Sequence, residues 1–221
     1  VRKKVISKRT SRTDKELLYL NSTTGWVKLS SAVDVFTGDD VEGKPQYTNA
    51  LARNNVLLGG TAPSGNRLGG IFNDYDNAYS KSDVTGYRPM AGITSFTVSS
   101  KNTFGTLRVA TIDIKVNSVE QLDEIEQLYF RPGMSVLLEW GHSLYYDNDG
   151  KFDSTVETFP NFFTGKSGKV ISEKIVELKT KSNDYNYDAI YGFVKNFVWS
   201  YNLDGGYDCK IDVVSKGELI E

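Results

Sequence analysis

The chain has 221 residues, with 26 basic against 28 acidic side chains and a net charge of −2, enough for one ordinary domain or two small ones. That balance supplies no global field for nucleic acid or an anionic membrane, the single Cys209 excludes an internal disulfide, and no apolar run is long enough to span a bilayer. The 13 Tyr, 11 Phe, 3 Trp and 20 Gly tilt the composition towards strands and turns.

Residues 1–16 are polar and carry a basic cluster of Arg2, Lys3, Lys4, Lys8, Arg9 and Arg12. It reads either as a solvated arm or as an arm lying on an acidic neighbour. Residues 17–36 read as short extended segments, with Leu18, Leu20, Trp26, Val27, Leu29, Val33 and Val35 spaced by Ser, Thr and Gly. Residues 37–92 are irregular and glycine-rich, with a helical turn or two around Tyr47–Asn54. So long a span is expected to lie against partner subunits.

The first clear hairpin covers residues 93–116. Ile93–Ser99 forms one strand, Lys101–Gly105 turns, and Leu107–Val116 returns with Ala110, Ile112, Ile114 and Val116 on one buried face. The best helix follows, near 119–130. Ser118 is its N-cap and Gln121 completes a capping box, and Val119, Leu122, Ile125, Leu128 and Tyr129 form one apolar stripe. Arg131-Pro132-Gly133 ends it.

Ser135–Gly141 is a nearly continuous apolar run, as in a strand covered on both faces. Asp147-Asn148-Asp149-Gly150 signals a turn, and Phe159, Phe162 and Phe163 form an aromatic knot. A second helix is expected near 171–181, with Ile171, Ile175, Val176 and Leu178 on one side. The closing hairpin places Tyr191, Phe193, Phe197, Trp199 and Tyr201 at odd positions of one strand. It turns at Asp204-Gly205-Gly206, then places Tyr207, Cys209, Ile211 and Val213 at odd positions of the next.

Chemical motifs are sparse, and no catalytic, cofactor-binding or metal-ligating residue is assigned. His142 is the only histidine, so any triad would have to use it, with Ser143 merely adjacent. Cys209 sits on the apolar side of an alternating strand and reads as a small buried hydrophobe. One His and one Cys do not make the usual zinc sets. Asp147–Gly150 with Asp153 lacks the full calcium-loop pattern. Gly165-Lys166-Ser167 lacks the P-loop glycine five residues earlier, where Pro160 stands. Gly59–Gly65 is a glycine-rich loop. Lys195 among Tyr191, Phe193, Phe197 and Trp199 could suit single-stranded nucleic acid, against the acidic balance of the chain. Glu139 is the one acid inside a buried-looking strand, and we expect it to pair with a basic residue such as Arg131 or Arg108.

Several segments together resemble a known family. They are Gly86–Thr94, Phe104–Thr111, Leu128–Gly133, Val136–Gly141, Gly192–Ser200 and Asp204–Cys209. As a set they are similar to the baseplate or tail-hub proteins of tailed phages, a family that includes the T-even central hub, the late-control hub of Mu-like phages and the VgrG hub of contractile injection systems. The resemblance covers residues 86–221; residues 1–85 match nothing in it.

It implies a mainly β fold with inserted helices (β+α): an antiparallel hub-type β-barrel with one or two short helices. Residues 86–221 would be that barrel domain, preceded by an arm and irregular glycine-rich region over 1–85. It further implies a non-enzymatic virion protein that joins the tail tube to the spike or tip. Its partners would be copies of itself, as a trimer, together with tube, baseplate and spike proteins. It would have no membrane span, and DNA would pass through a lumen without specific binding. From the ends of the sequence we expect a piece of a longer protein, and the resemblance, which implies two barrels per subunit, would put a second barrel beyond Glu221 or in residues 1–85 with the remainder. Two other readings stand beside the hub: a peripheral receptor- or carbohydrate-binding β domain using Trp26, Trp199 or the tyrosines, and a peptidoglycan-cleaving tail protein using Glu139.

Overall fold

The computed structural model describes residues 24–60, 79–82, 86–101, 107–143, 157–159, 167–182, 186–203 and 205–216. The basic arm, the Asp147–Gly150 turn with Asp153, Phe162, Phe163 and Gly165-Lys166 lie outside these residues.

The chain is mostly antiparallel β with a few short helices, and its main sheet curls into a half-barrel. The elements run β1 (Thr24–Ser31), β2 (Val35–Asp39), β3 (Pro45–Thr48), α1 (Ala50–Asn54), β4 (Leu57–Gly60), β5 (Tyr79–Ser82), β6 (Gly86–Pro89), β7 (Gly92–Ser100) and β8 (Arg108–Val116). They continue with α2 (Val119–Tyr129), β9 (Ser135–Ser143), α3 (Gly168–Glu177), a π-helical turn (Leu178–Ser182), β10 (Tyr187–Asn202) and β11 (Gly206–Ser215). The main sheet has seven strands in the order β4-β1-β9-β10-β11-β8-β7, while β2–β3 and β5–β6 form separate hairpins. Strands β1 and β4, from the first 60 residues, therefore share a sheet with the later strands. The stretch expected to be irregular holds two small hairpins, a helical turn and a strand of this sheet.

The curl brings the two end strands together. A Cβ at Gly59 of β4 would stand 2.5 Å from the Ile93 carbonyl of β7, so only glycine fits there. One core takes side chains from every strand of the sheet, from Leu57 on β4 to Ile93 on β7, and so fills the inside of the curl. Helix α2 closes this core with Leu122, Ile125, Leu128 and Tyr129, as its apolar spacing requires. The Tyr129 hydroxyl donates to the carbonyls of Leu29 (3.1 Å) and Asn55 (2.8 Å), which locks the helix to β1. Ser118 caps α2 by accepting from the Gln121 amide. The return bond differs from the expected capping box: Gln121 Oε1 accepts from the Asn117 amide at 3.0 Å, and its Nε2 donates to the Pro89 carbonyl at 2.9 Å. Gln121 thus ties the helix start to β6 as well as closing the cap.

A second core lies on the opposite face of β1, β9 and β10. It contains Trp26, Leu137, Phe159, Ile171, Leu178, Tyr187 and Ala189. Strand β9 is covered on both faces, as its apolar run foretold: Val136 and Leu138 enter the first core and Leu137 the second. Helix α3 starts earlier than expected, with Ser167 as its N-cap. It buries Ile171, and the π-turn buries Leu178, but Val176 points to solvent. The expected one-sided row fails there because Val176 adjoins Ile175 and sits about 100° round the helix.

Strand β10 also departs from simple alternation. Its register on β11 shifts between Val194 and Asn196. Ahead of this bulge, Ala189 and Tyr191 face the second core while Ile190 and Val194 face the first. Beyond it, Phe197 faces the first core and stacks on Phe130 at 5.6 Å. The odd positions therefore do not share one face; the inserted residue reverses the parity at Lys195.

Candidate functional site

The residues singled out in the sequence separate into a buried group and an exposed one. In the buried group, the register sets Lys28 of β1 directly opposite Glu139 of β9, and Ala189 of β10 opposite Glu139 on its other side. Ala189 is small, which leaves room above the sheet for Tyr187 to reach Glu139. The Tyr187 hydroxyl donates to Glu139 Oε1 at 2.9 Å, and the Phe159 amide donates to the same oxygen at 2.6 Å. Lys28 Nζ stands 3.0 Å from Glu139 Oε2, an ion-pair contact off the hydrogen-bond direction, and donates to Thr158 Oγ1 at 3.3 Å. Glu139 is 0% exposed. Burial, then the Glu139 charge and hydrogen bond, push the Tyr187 phenol well above its ordinary range.

Glu139 thus pairs with a cation, but the cation is Lys28 and not Arg131 or Arg108. Arg131 follows α2 and is exposed. Arg108 lies over the Trp140 ring at 5.9 Å, donates to the Ala189 carbonyl at 2.7 Å and faces Asp188 at 3.4 Å. Pairing by register decides this: Lys28 is 111 positions away in sequence and no local pattern marks it. The group holds the 157–159 segment against β1, β9 and β10, and in this structure its carboxylate is sealed from solvent.

Other candidates also find their places. His142 is exposed on β9, bonded through its backbone amide to the Asn186 carbonyl. Cys209 is buried, and burial, followed by the Asp208 charge, pushes its thiol up to about 12. Trp26 is only 3% exposed and packs on Tyr187 in the second core. That burial corrects the expectation that it could be a sugar platform. Among the described residues, no group of three or more His, Cys, Asp or Glu could hold a metal. No described helix is long and apolar enough to cross a membrane.

The exposed group lies at the outer end of the β10–β11 hairpin. Strand β9 accompanies β10 only over Tyr187–Phe193, and its lead-in residues Gly133 and Met134 bond Val194. From Asn196 onwards, among the described residues, β10 pairs with β11 alone. Trp199 is 49% and Tyr201 67% exposed, and Val198 and Leu203 are also exposed. Trp199 and Tyr201 each meet the Tyr207 ring edge-on at 5.6 Å. The charges nearby are largely paired: Lys115 with Asp208 at 3.2 Å and Lys210 with Asp113 at 3.3 Å. Lys195 is exposed at the bulge, set apart from the aromatic row beyond it. A second exposed aromatic pair, Phe36 with Tyr47 at 5.8 Å, sits on the β2–β3 hairpin. The sequence held the aromatics of both patches; their exposure follows from where the sheet and helices stop covering them.

Comparison with known proteins finds no matching family model, no matching curated protein and no matching solved structure.

Proposed function

We propose that this chain is a structural, non-catalytic subunit of a phage tail or a phage-like injection machine, a baseplate hub that joins the tail tube to the spike or tip. The observation that supports this best is the exposed aromatic end of the β10–β11 hairpin. Rigid aromatics held on a paired strand and left in water are what a subunit interface uses for its core. The curled seven-stranded sheet is read as the hub-type barrel. The β2–β3 hairpin is exposed over most of its length, and isolated two-stranded hairpins are marginal in water, so a neighbouring subunit would steady it. In this reading the Lys28–Glu139–Tyr187 group braces the sheet and performs no chemistry.

Light scattering of the native protein, alone and with tail-tube protein, tests the proposal. A trimer or hexamer that gains mass with the tube protein supports the hub. A stable monomer that gains no mass refutes it.

A second reading has a specific observation in its favour. Trp199 and Tyr201 are the kind of exposed rings on which sugars stack, which would suit a peripheral receptor- or carbohydrate-binding domain. A glycan array separates the two, since a hub binds no sugar.

A further inference from the structure

Among the described residues, the outer half of β10 is an edge without the usual protection. Exposed strand edges in monomers are normally blunted by charges, proline or a covering element. The other edges among the described residues follow that rule. Strands β4 and β7 cover each other, β2–β3 carries Asp39 and Pro45, and β5–β6 carries Arg88 and Pro89. Asn196–Leu203 has no charge and no proline. It is nonetheless exposed on both faces, through Val198 and Ser200 on one and Trp199 and Tyr201 on the other. Its β-branched and aromatic composition favours further strand pairing.

The segment also reads nearly the same in both directions about Trp199: Asn196-Phe197-Val198-Trp199-Ser200-Tyr201-Asn202. Antiparallel pairing with an identical strand would set Trp199 opposite Trp199, Val198 opposite Ser200, Phe197 opposite Tyr201 and Asn196 opposite Asn202. Every aromatic would then face an aromatic, while the Asn202 side chain keeps its bond to Asp208 at 2.8 Å. Such cross-strand pairs are the favourable unit of a sheet, and no like charges meet. A twofold contact requires this self-complementarity, because one patch must serve both subunits.

The geometry points to a second copy of this chain as the occupant: two subunits join their β10 edges antiparallel, centred on Trp199, into one continuous sheet. This contact occupies the same aromatic end that supports the hub reading, and it stands whether or not the chain is a hub.

Charge exchange at Trp199 tests it. Trp199→Lys or Trp199→Glu places two like charges directly opposite each other, so each variant alone is expected to halve the native mass of the 221-residue chain, with its thermal melt retained. An equimolar mixture of the two is expected to restore the mass. Cross-linking checks the register. Cys209 stands opposite Trp199 on β11, so the cysteine is first removed by Cys209→Ala. In that background Trp199→Cys should oxidise to a linked pair roughly tenfold faster than Phe197→Cys or Tyr201→Cys alone, because only residue 199 faces itself within disulfide reach. Phe197→Cys and Tyr201→Cys chains should link to each other when mixed. A native mass indifferent to charge at 199 overturns the inference, as does equal cross-linking at all three positions. Failure of the hub reading alone would leave the mass-halving and the cross-linking pattern in place.

Discussion

Replacing Glu139 by Gln removes one charge from a sealed ion pair and changes almost nothing else in shape. Glu139 is 0% exposed and Lys28 is buried beside it. The glutamine keeps an oxygen for the Phe159 amide and the Tyr187 hydroxyl, which lie at 2.6 and 2.9 Å from the native Oε1. Its amide NH2 would then face the Lys28 ammonium where Oε2 stood at 3.0 Å. A buried cation left beside a donor costs about 3–5 kcal/mol. For a chain of this size that is roughly 6–20 °C of melting temperature. Lys28→Met should cost less, about 1–3 kcal/mol, because Glu139 retains two hydrogen-bond donors. The double substitution removes both charges and should lose less than the two singles together, by about 2 kcal/mol. Urea unfolding, with the m-value checked for constancy, reads all three. A Glu139→Gln cost under about 1 kcal/mol, or single effects that simply add within about 0.5 kcal/mol, would refute the account of a coupled buried pair.

Other expectations follow from single features. Cys209 is buried with its thiol pushed up to about 12, so a thiol reagent at neutral pH should label it only on unfolding; rapid native-state labelling would contradict the burial. Burial raises the Tyr129 phenol above its ordinary 10.0. Folding therefore holds that proton, and the stabilisation is complete below about pH 10 and is lost as pH rises towards the folded value. Tyr129→Phe should make the alkaline decline in stability shallower, which urea melts at stepped pH would measure. Ser118→Ala should cost about 1 kcal/mol by removing the N-cap of α2. A Cβ at Gly192 would meet the Val214 carbonyl across the β10–β11 pair, so Gly192→Ala should cost about 1–3 kcal/mol by forcing the strands apart; a neutral result would place the two backbones further apart than described.

Local order was largely legible in the residues themselves. The alternation Ala110, Ile112, Ile114, Val116 fixed the buried face of β8, and the stripe from Leu122 to Tyr129 fixed how α2 meets the core. The two-sided burial of β9 could be read from Val136-Leu137-Leu138. These signals rest on side-chain periodicity, which the backbone geometry of a single element dictates. Partnerships between elements were not legible. Lys28 meets Glu139 only because β1 pairs with β9 in one register, and a shift of one residue would turn Lys28 to the other face. The bulge at Val194–Asn196 reversed the faces of β10, an event of strand pairing that alternating letters conceal. Trp26 and Trp199 are the same residue type on strands of similar composition, yet one is buried and the other exposed. The sequence by itself determined which residues are apolar and how they repeat along each element. The tertiary structure alone decided which of them water still reaches, because burial depends on neighbours distant in the chain.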